Sequence, residues 1–147
     1  MLKKILSWSA VVIWMGVIYS FSAQSAEESS RLSAGLSKVI YRVITEEVGL
    51  KVQLSSFHSF LRQGAHFFIF FLLALLLVNA FRVSGYELEK AIIYTLLISL
   101  AYAGLDEIHQ IYVPGRTAEL KDVFVDGLGI VSGIGIYALI RYLLIII

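Results

Sequence analysis

Four apolar stretches, each bounded by charge, constrain this chain more than any other feature. The first runs from Ile5 to Phe21 after Lys3 and Lys4, and the second from Gln63 to Phe81 between Arg62 and Arg82. The third runs from Ala91 to Leu105 between Lys90 and Asp106. The fourth runs from Val123 to Ile140, is broken by Asp126 and is followed by Arg141. Crossing the hydrocarbon of a bilayer takes about 20 helical residues, with about 17–25 as the working range. The second stretch fits as it stands and the first lies at the lower limit. The third is short, so its helix should continue through Asp106 toward Gln110. The fourth must take Asp122 and Asp126 into its first turns. Composition agrees, with 59% apolar and 16% charged residues; soluble domains average about 45–50% and about 25%. Mean hydropathy is +0.83. This balance rules out a disordered chain and argues against a water-soluble globule. A single proline suits long helices. The fold class read from these features is all-α integral membrane. It is a four-helix transmembrane bundle with an amphipathic interfacial helix between spans one and two. Residues 1–147 form a single domain.

The first stretch also resembles a secretory signal peptide, with a basic start and small residues at Ser22, Ala23 and Ser25. Its length exceeds the usual apolar region of about 7–15 residues. Trp8, Trp14 and Tyr19 suit a retained, anchored helix. The longest polar segment, Ser22 to Leu61, follows. Within it Leu32, Leu36, Val39, Ile40, Val43 and Ile44 recur at helical spacing, and Arg31, Lys38 and Arg42 fill the rest of the wheel. This predicts an amphipathic helix over Ser29–Ile44, lying on the membrane surface or over the mouth of the bundle.

Lys3 and Lys4 before a short first span place the N-terminus in the cytoplasm. Four spans return the C-terminus to the same side, in a multi-pass protein of the cytoplasmic (inner) membrane. Raw counts of Lys and Arg do not favour this, with five on inner and seven on outer segments. Several of the outer ones sit on the amphipathic helix, away from the span ends where the bias acts. Under this topology the polar residues of all four spans converge on the outer face. Ser22 and Gln24 end span one there, and Arg62 and His66 open span two. Asp106, Glu107 and Gln110 end span three, Arg116 follows in the loop, and Asp122 and Asp126 open span four.

Arg62 and His66 share a helix face, as do Asp106 and Gln110, and Asp122 and Asp126. Ionisable groups within a bilayer face the bundle interior and pair with one another. The same residues could also act purely as a lock, since polar contacts join membrane helices by about 0.6 kcal/mol on average. His66 beside carboxylates could serve as general acid or base, with Asp106 and Glu107 as the other catalytic candidates. Arg62 and Arg116 could hold an anionic headgroup, because guanidinium fits phosphate bidentately. Asp106, Asp122 and His66 could also bind a divalent cation, but neither a His-Glu-x-x-His nor an Asp-x-Asp-x-Asp run occurs, so no metal or cofactor is expected. His58 and His109 flank the spans and should be wet. Ser22 and Ser25 have no adjacent His that would mark a nucleophile. The chain holds no cysteine, which excludes disulfides and thiolate chemistry. A net charge of +1 offers no basic field for nucleic acid. Pro114-Gly115 marks a tight turn that ends the third helix and aims Arg116. Gly129 and Gly133 make a Gly-x-x-x-Gly step, read as packing within the bundle rather than as a dimer contact.

Taken in order, these residues resemble a known group. They are Phe21-Ser22-Ala23-Gln24, then Arg62-Gln63-Gly64-Ala65-His66-Phe67. Next comes Asp106-Glu107-Ile108-His109-Gln110 with Pro114-Gly115-Arg116, and last Asp122-Val123-Phe124-Val125-Asp126-Gly127-Leu128-Gly129. The set is similar to the VanZ-like family of small bacterial membrane proteins, and the likeness covers nearly the whole chain. The family pattern often has Asn near position 126, so Asp126 adds a charge that hydrogen bonding alone does not need. The resemblance implies a cell-envelope role, and through the family's named member a link to low-level resistance to teicoplanin, an antibiotic acting outside the cytoplasmic membrane. It implies no particular reaction.

Three functions follow from the residues. The first is binding of a membrane lipid or lipid-linked envelope precursor, anionic in character, through Gln24, Arg62, His66, Asp106, Glu107, Gln110, Arg116, Asp122 and Asp126. The second is a membrane-embedded hydrolase or transferase acting on a lipid-linked substrate. The third is a small transporter, against which stand the few spans and the missing inverted repeat. Whether the chain catalyses a reaction, and whether it forms an oligomer, stay open on the sequence.

Overall fold

The computed structural model describes residues 1–25, 27–29, 35, 40–43 and 54–146. Four long helices dominate: α1 (Leu2–Ser22), α2 (Leu54–Val83), α3 (Leu88–Gln110) and α4 (Leu120–Ile146). All four are long and apolar enough to cross a membrane, α2 over Phe60–Val83 and α4 over Leu120–Leu144. No strand occurs among the described residues. The chain is an all-α membrane protein, as its sequence predicts. The third span does continue through Asp106 to Gln110, and the fourth takes Asp122 and Asp126 into its first turns. Of the amphipathic segment, residues 27–29, 35 and 40–43 are described and are helical. Tyr41 there meets Phe57 near the start of α2, with ring centroids 5.5 Å apart. The rest of the Ser29–Ile44 prediction lies outside the described residues.

Chain reversals follow local chemistry. Gly85 adopts φ +98° just past α2. The Tyr86 N–H then donates to the Phe81 carbonyl and the Gly85 N–H to the Arg82 carbonyl, both at 3.1 Å. This paired cap satisfies carbonyls that the helix end leaves without partners, and glycine permits the left-handed φ it needs. Between α3 and α4, the Arg116 N–H donates to Val113 O at 3.1 Å, with Gly115 at φ +76°. Pro114 at the second position and a positive-φ glycine at the third make a type II turn.

α2 is the hub, packing on α1, α3 and α4. Its Phe70, Leu73 and Leu77 meet Val11 and Ile18 of α1, Ala103 of α3 and Ile130 of α4 in the buried core. The closest approach is between α2 and α4. A Cβ at Gly129 would collide with the Phe67 carbonyl, and one at Gly133 would crowd Phe71 O and Ala74 Cβ. The Gly-x-x-x-Gly step therefore serves packing within the bundle, which matters in lipid because packing and hydrogen bonds replace the hydrophobic drive there. Large apolar side chains such as Val12, Ile13, Leu97, Leu105, Phe124 and Val131 face outward. Part-buried hydrogen bonds tie α1 in, among them one to α2 and one from α3. Trp14 Nε1 donates to Ile69 O at 2.9 Å, and Tyr102 Oη to Met15 O at 2.7 Å.

Candidate functional site

α2 and α4 both start at the same end of the bundle, so they run parallel. Parallel helices stay in register, and residues four apart on one face those four apart on the other. Arg62 and His66 therefore meet Asp122 and Asp126 as two successive rungs. Arg62 Nη2 lies 2.7 Å from Asp122 Oδ2, and His66 Nδ1 lies 3.1 Å from Asp126 Oδ1. The second rung is the deeper one. His66 is 6% exposed and Asp126 fully buried, whereas the Arg62 side chain is 39% exposed at the rim. Gly129 and Gly133 continue the same α4 face beyond the rungs, and their missing side chains are what lets both rungs close.

α3 brings a third wall. Glu107 is buried, and its Oε2 accepts the Glu119 N–H at 2.8 Å, just before α4 begins. Asp106 Oδ2 accepts from Gln110 Nε2 at 3.3 Å, one turn along the same helix. Asp106 and Asp122 lie within electrostatic reach of the His66 ring. The type II turn then aims Arg116 across to α1. Its Nε donates to Gln24 O at 2.9 Å and its Nη2 to Phe21 O at 3.3 Å. Phe21 lies in the last turn of α1 and Gln24 just past it, where helix carbonyls lack internal donors and the dipole favours a cation. Burial, and after it the neighbouring Arg62, hold the Arg116 guanidinium below its ordinary pKa.

The cluster brings the predicted residues to one end of the bundle, with several different partnerships. Arg62 pairs with a carboxylate of another helix, as expected. Asp106 does not pair with an arginine; its partner is Gln110, so truncating Asp106 would strand no cation. Arg116 meets backbone carbonyls instead of a carboxylate, and Gln24 joins through its main chain. His109 is half-buried, with its Nε2 enclosed and its ring 4.9 Å from that of Tyr19. The side chain of His58 lies outside the described residues. Ser25 closes a capping box with Glu28, its N–H donating to Glu28 Oε2 at 2.9 Å, and this occupies it structurally. Glu119 was not singled out by the sequence reading. It approaches Arg62 Nη2 at 3.4 Å and supplies the N–H that Glu107 accepts. Its signal was the position three residues before Asp122, on the same face at the start of α4.

Several buried side-chain atoms here have no hydrogen-bond partner. They include Glu107 Oε1, Gln110 Oε1, Asp122 Oδ1 and Asp126 Oδ2. His66, Glu107 and Asp126 each offer one metal-ligating atom within 4.8 Å of the other two, and all three residues are buried. Each member sits on a different helix, so no contiguous motif marks the set in the sequence.

A family model described as VanZ/LLP1 matches residues 7–141. No curated protein and no solved structure matches the chain.

Proposed function

From the premise that the chain belongs to the VanZ/LLP1 family, we propose that it binds the anionic headgroup of a membrane lipid or lipid-linked envelope precursor at the Arg62 end of the bundle. The observation that carries this reading is the gathering of buried ionisable groups from α2, α3 and α4 at one end, with Arg62 half exposed at its rim. Ionisable groups inside a membrane are unfavourable without a task, and a headgroup arriving from the leaflet meets this rim first. The site opens to the outer leaflet of the cytoplasmic membrane, and both termini are cytoplasmic. A precursor held there is also how a tie to teicoplanin would arise.

The experiment uses nanodiscs of phosphatidylcholine doped with phosphatidylglycerol, with native mass spectrometry reading retained lipid. Wild type should retain phosphatidylglycerol preferentially, and Arg62→Gln should lose at least half of that preference. Equal retention of both lipids by wild type overturns the reading. The side is read separately. The natural chain has no cysteine, so a single cysteine at Lys121 or at Ser84 reports its own exposure to an impermeant maleimide on whole cells. Labelling at Lys121 and not at Ser84 is expected; the reverse pattern inverts the topology.

A second reading is favoured by one observation. The His66 Nδ1–Asp126 Oδ1 pair at 3.1 Å orients a buried imidazole as a general acid–base group would need. It makes the protein an enzyme on the same lipid-linked class, and a change in mass of the retained lipid over time would establish it.

A further inference from the structure

We propose that His66, Glu107 and Asp126 form a binding site for a divalent transition-metal cation of the zinc or manganese class. The three residues come from α2, α3 and α4, and their ligand atoms lie within 4.8 Å of one another. Ligands bound at about 2.2 Å to one tetrahedral ion stand about 3.6 Å apart, so the set closes once the ligand atoms draw together by no more than about 1.2 Å. His66 Nδ1 and Asp126 Oδ1 stand 3.1 Å apart. That separation suits a hydrogen bond, and it is close to the roughly 3.1–3.6 Å between adjacent ligands, octahedral or tetrahedral, on an ion about 2.2 Å from each. Loading would displace the shared proton, as metal binding to imidazole generally does.

An independent observation points the same way. Glu107 and Asp126, 95% or more buried, each keep one carboxylate oxygen with no donor, as Asp122 does beside them. Gln110 Oε1, at the same end of α3, is also an acceptor without a donor. Buried oxygens left in this state are unfavourable and rare in folded proteins. What this end lacks is positive charge, not hydrogen-bond acceptors. Among the described residues, its buried-side guanidiniums are already engaged, Arg62 by Asp122 and Glu119 and Arg116 by the carbonyls of Phe21 and Gln24. A cation at the triad would answer the excess of carboxylate. One imidazole with two carboxylates selects zinc or manganese over magnesium or calcium, which prefer oxygen alone. Three protein ligands also leave a coordination position open toward a fourth group. This inference goes beyond the headgroup reading, because retention of the metal in lipid-free detergent succeeds or fails whatever the nanodisc experiment shows.

The test strips purified wild type in detergent with EDTA, then dialyses it against Zn²⁺ or Mn²⁺ and measures metal by mass spectrometry. About one equivalent per chain of at least one of them should remain. His66→Gln, Glu107→Gln and Asp126→Asn should each weaken binding at least about 10-fold, and Lys90→Gln at the opposite end should leave it unchanged. Circular dichroism and gel filtration confirm which variants are folded. On wild type alone, Co²⁺ should give ligand-field absorption that Zn²⁺ or Mn²⁺ displaces. A wild type that retains no stoichiometric metal and shows no Co²⁺ bands overturns the proposal. So does equal retention by folded triad variants.

Discussion

At the Ser84 end of the bundle, the polar groups are neutral or exposed and find partners at once. Trp8 Nε1 donates to Ser84 Oγ at 3.0 Å, Lys4 Nζ to Ser84 O at 3.2 Å and Arg82 Nη1 to Tyr86 O at 2.7 Å. Phe81 sits among Trp8, Tyr86 and Tyr94 at centroid distances of 5.1, 5.4 and 5.5 Å. At the Arg62 end, carboxylates are buried and four side-chain oxygens of Glu107, Gln110, Asp122 and Asp126 lack donors. Both ends join the same helices in the same lipid setting. The Ser84 end shows that these helices can be locked with satisfied hydrogen bonds and ring packing. The Arg62 end uses groups that locking does not require. On the proposed reading, the difference separates a structural seam from a binding site.

That distinction can be broken most forcefully at the Ser84 end. Phe81→Ala should destabilise the detergent-solubilised protein by about 2–4 kcal/mol, toward the low side of core aromatic truncations because lipid already solvates apolar groups. Thermal unfolding reads this, and metal and headgroup retention should stay at wild-type level. A loss of retention in folded protein would show that the two ends are not separable.

Gly129→Ala tests what holds the rungs together. The added methyl group meets the Phe67 backbone, which cannot rotate away, so α2 and α4 must part. A loss of about 1–3 kcal/mol is expected, in the range of overpacked cores. Here metal retention should fall too, because His66 and Asp126 separate with the helices. Unchanged stability would mean that the seam is looser than its geometry.

Asp126→Asn sharpens the comparison. It keeps the shape and one acceptor while removing charge from a carboxylate-rich cluster. Stability should change by less than about 1 kcal/mol in either direction, since buried ionic groups often contribute little net stability. Metal binding should nevertheless weaken at least about 10-fold. A loss of about 3 kcal/mol or more, as for a broken buried pair, would make the Arg62 end a lock like its counterpart.

The smallest effect is expected at Asn79, whose Nδ2 reaches Ser7 Oγ at 3.5 Å near the Ser84 end. Asn79→Ala should cost no more than about 0.6 kcal/mol, the average for polar contacts between membrane helices. A larger value would show that the Ser84 end depends on polar contacts more than on its aromatic rings.

The sequence by itself determined the four spans, because bilayer thickness sets a length that a local apolar run either meets or misses. It determined that Arg62 and His66 share a face, as do Asp122 and Asp126, because helical periodicity is local. It also placed the polar residues at one end, since alternating spans return every second boundary to the same side. Partnership was another matter. Arg116 looked like a mate for a carboxylate and caps α1 instead, because the type II turn sets its direction. Asp106 looked like an ion-pair partner and takes Gln110, one turn away on its own helix. Glu119 drew no notice, although it links Arg62 to Glu107. The triad of His66, Glu107 and Asp126 was hidden for the same reason: its members are 41 and 19 residues apart in the chain. They meet only when three helices adopt one register. That register was decided by tertiary structure, where Gly129 and Gly133 let the backbone of α4 settle against α2 and bring the charged rungs within bonding distance.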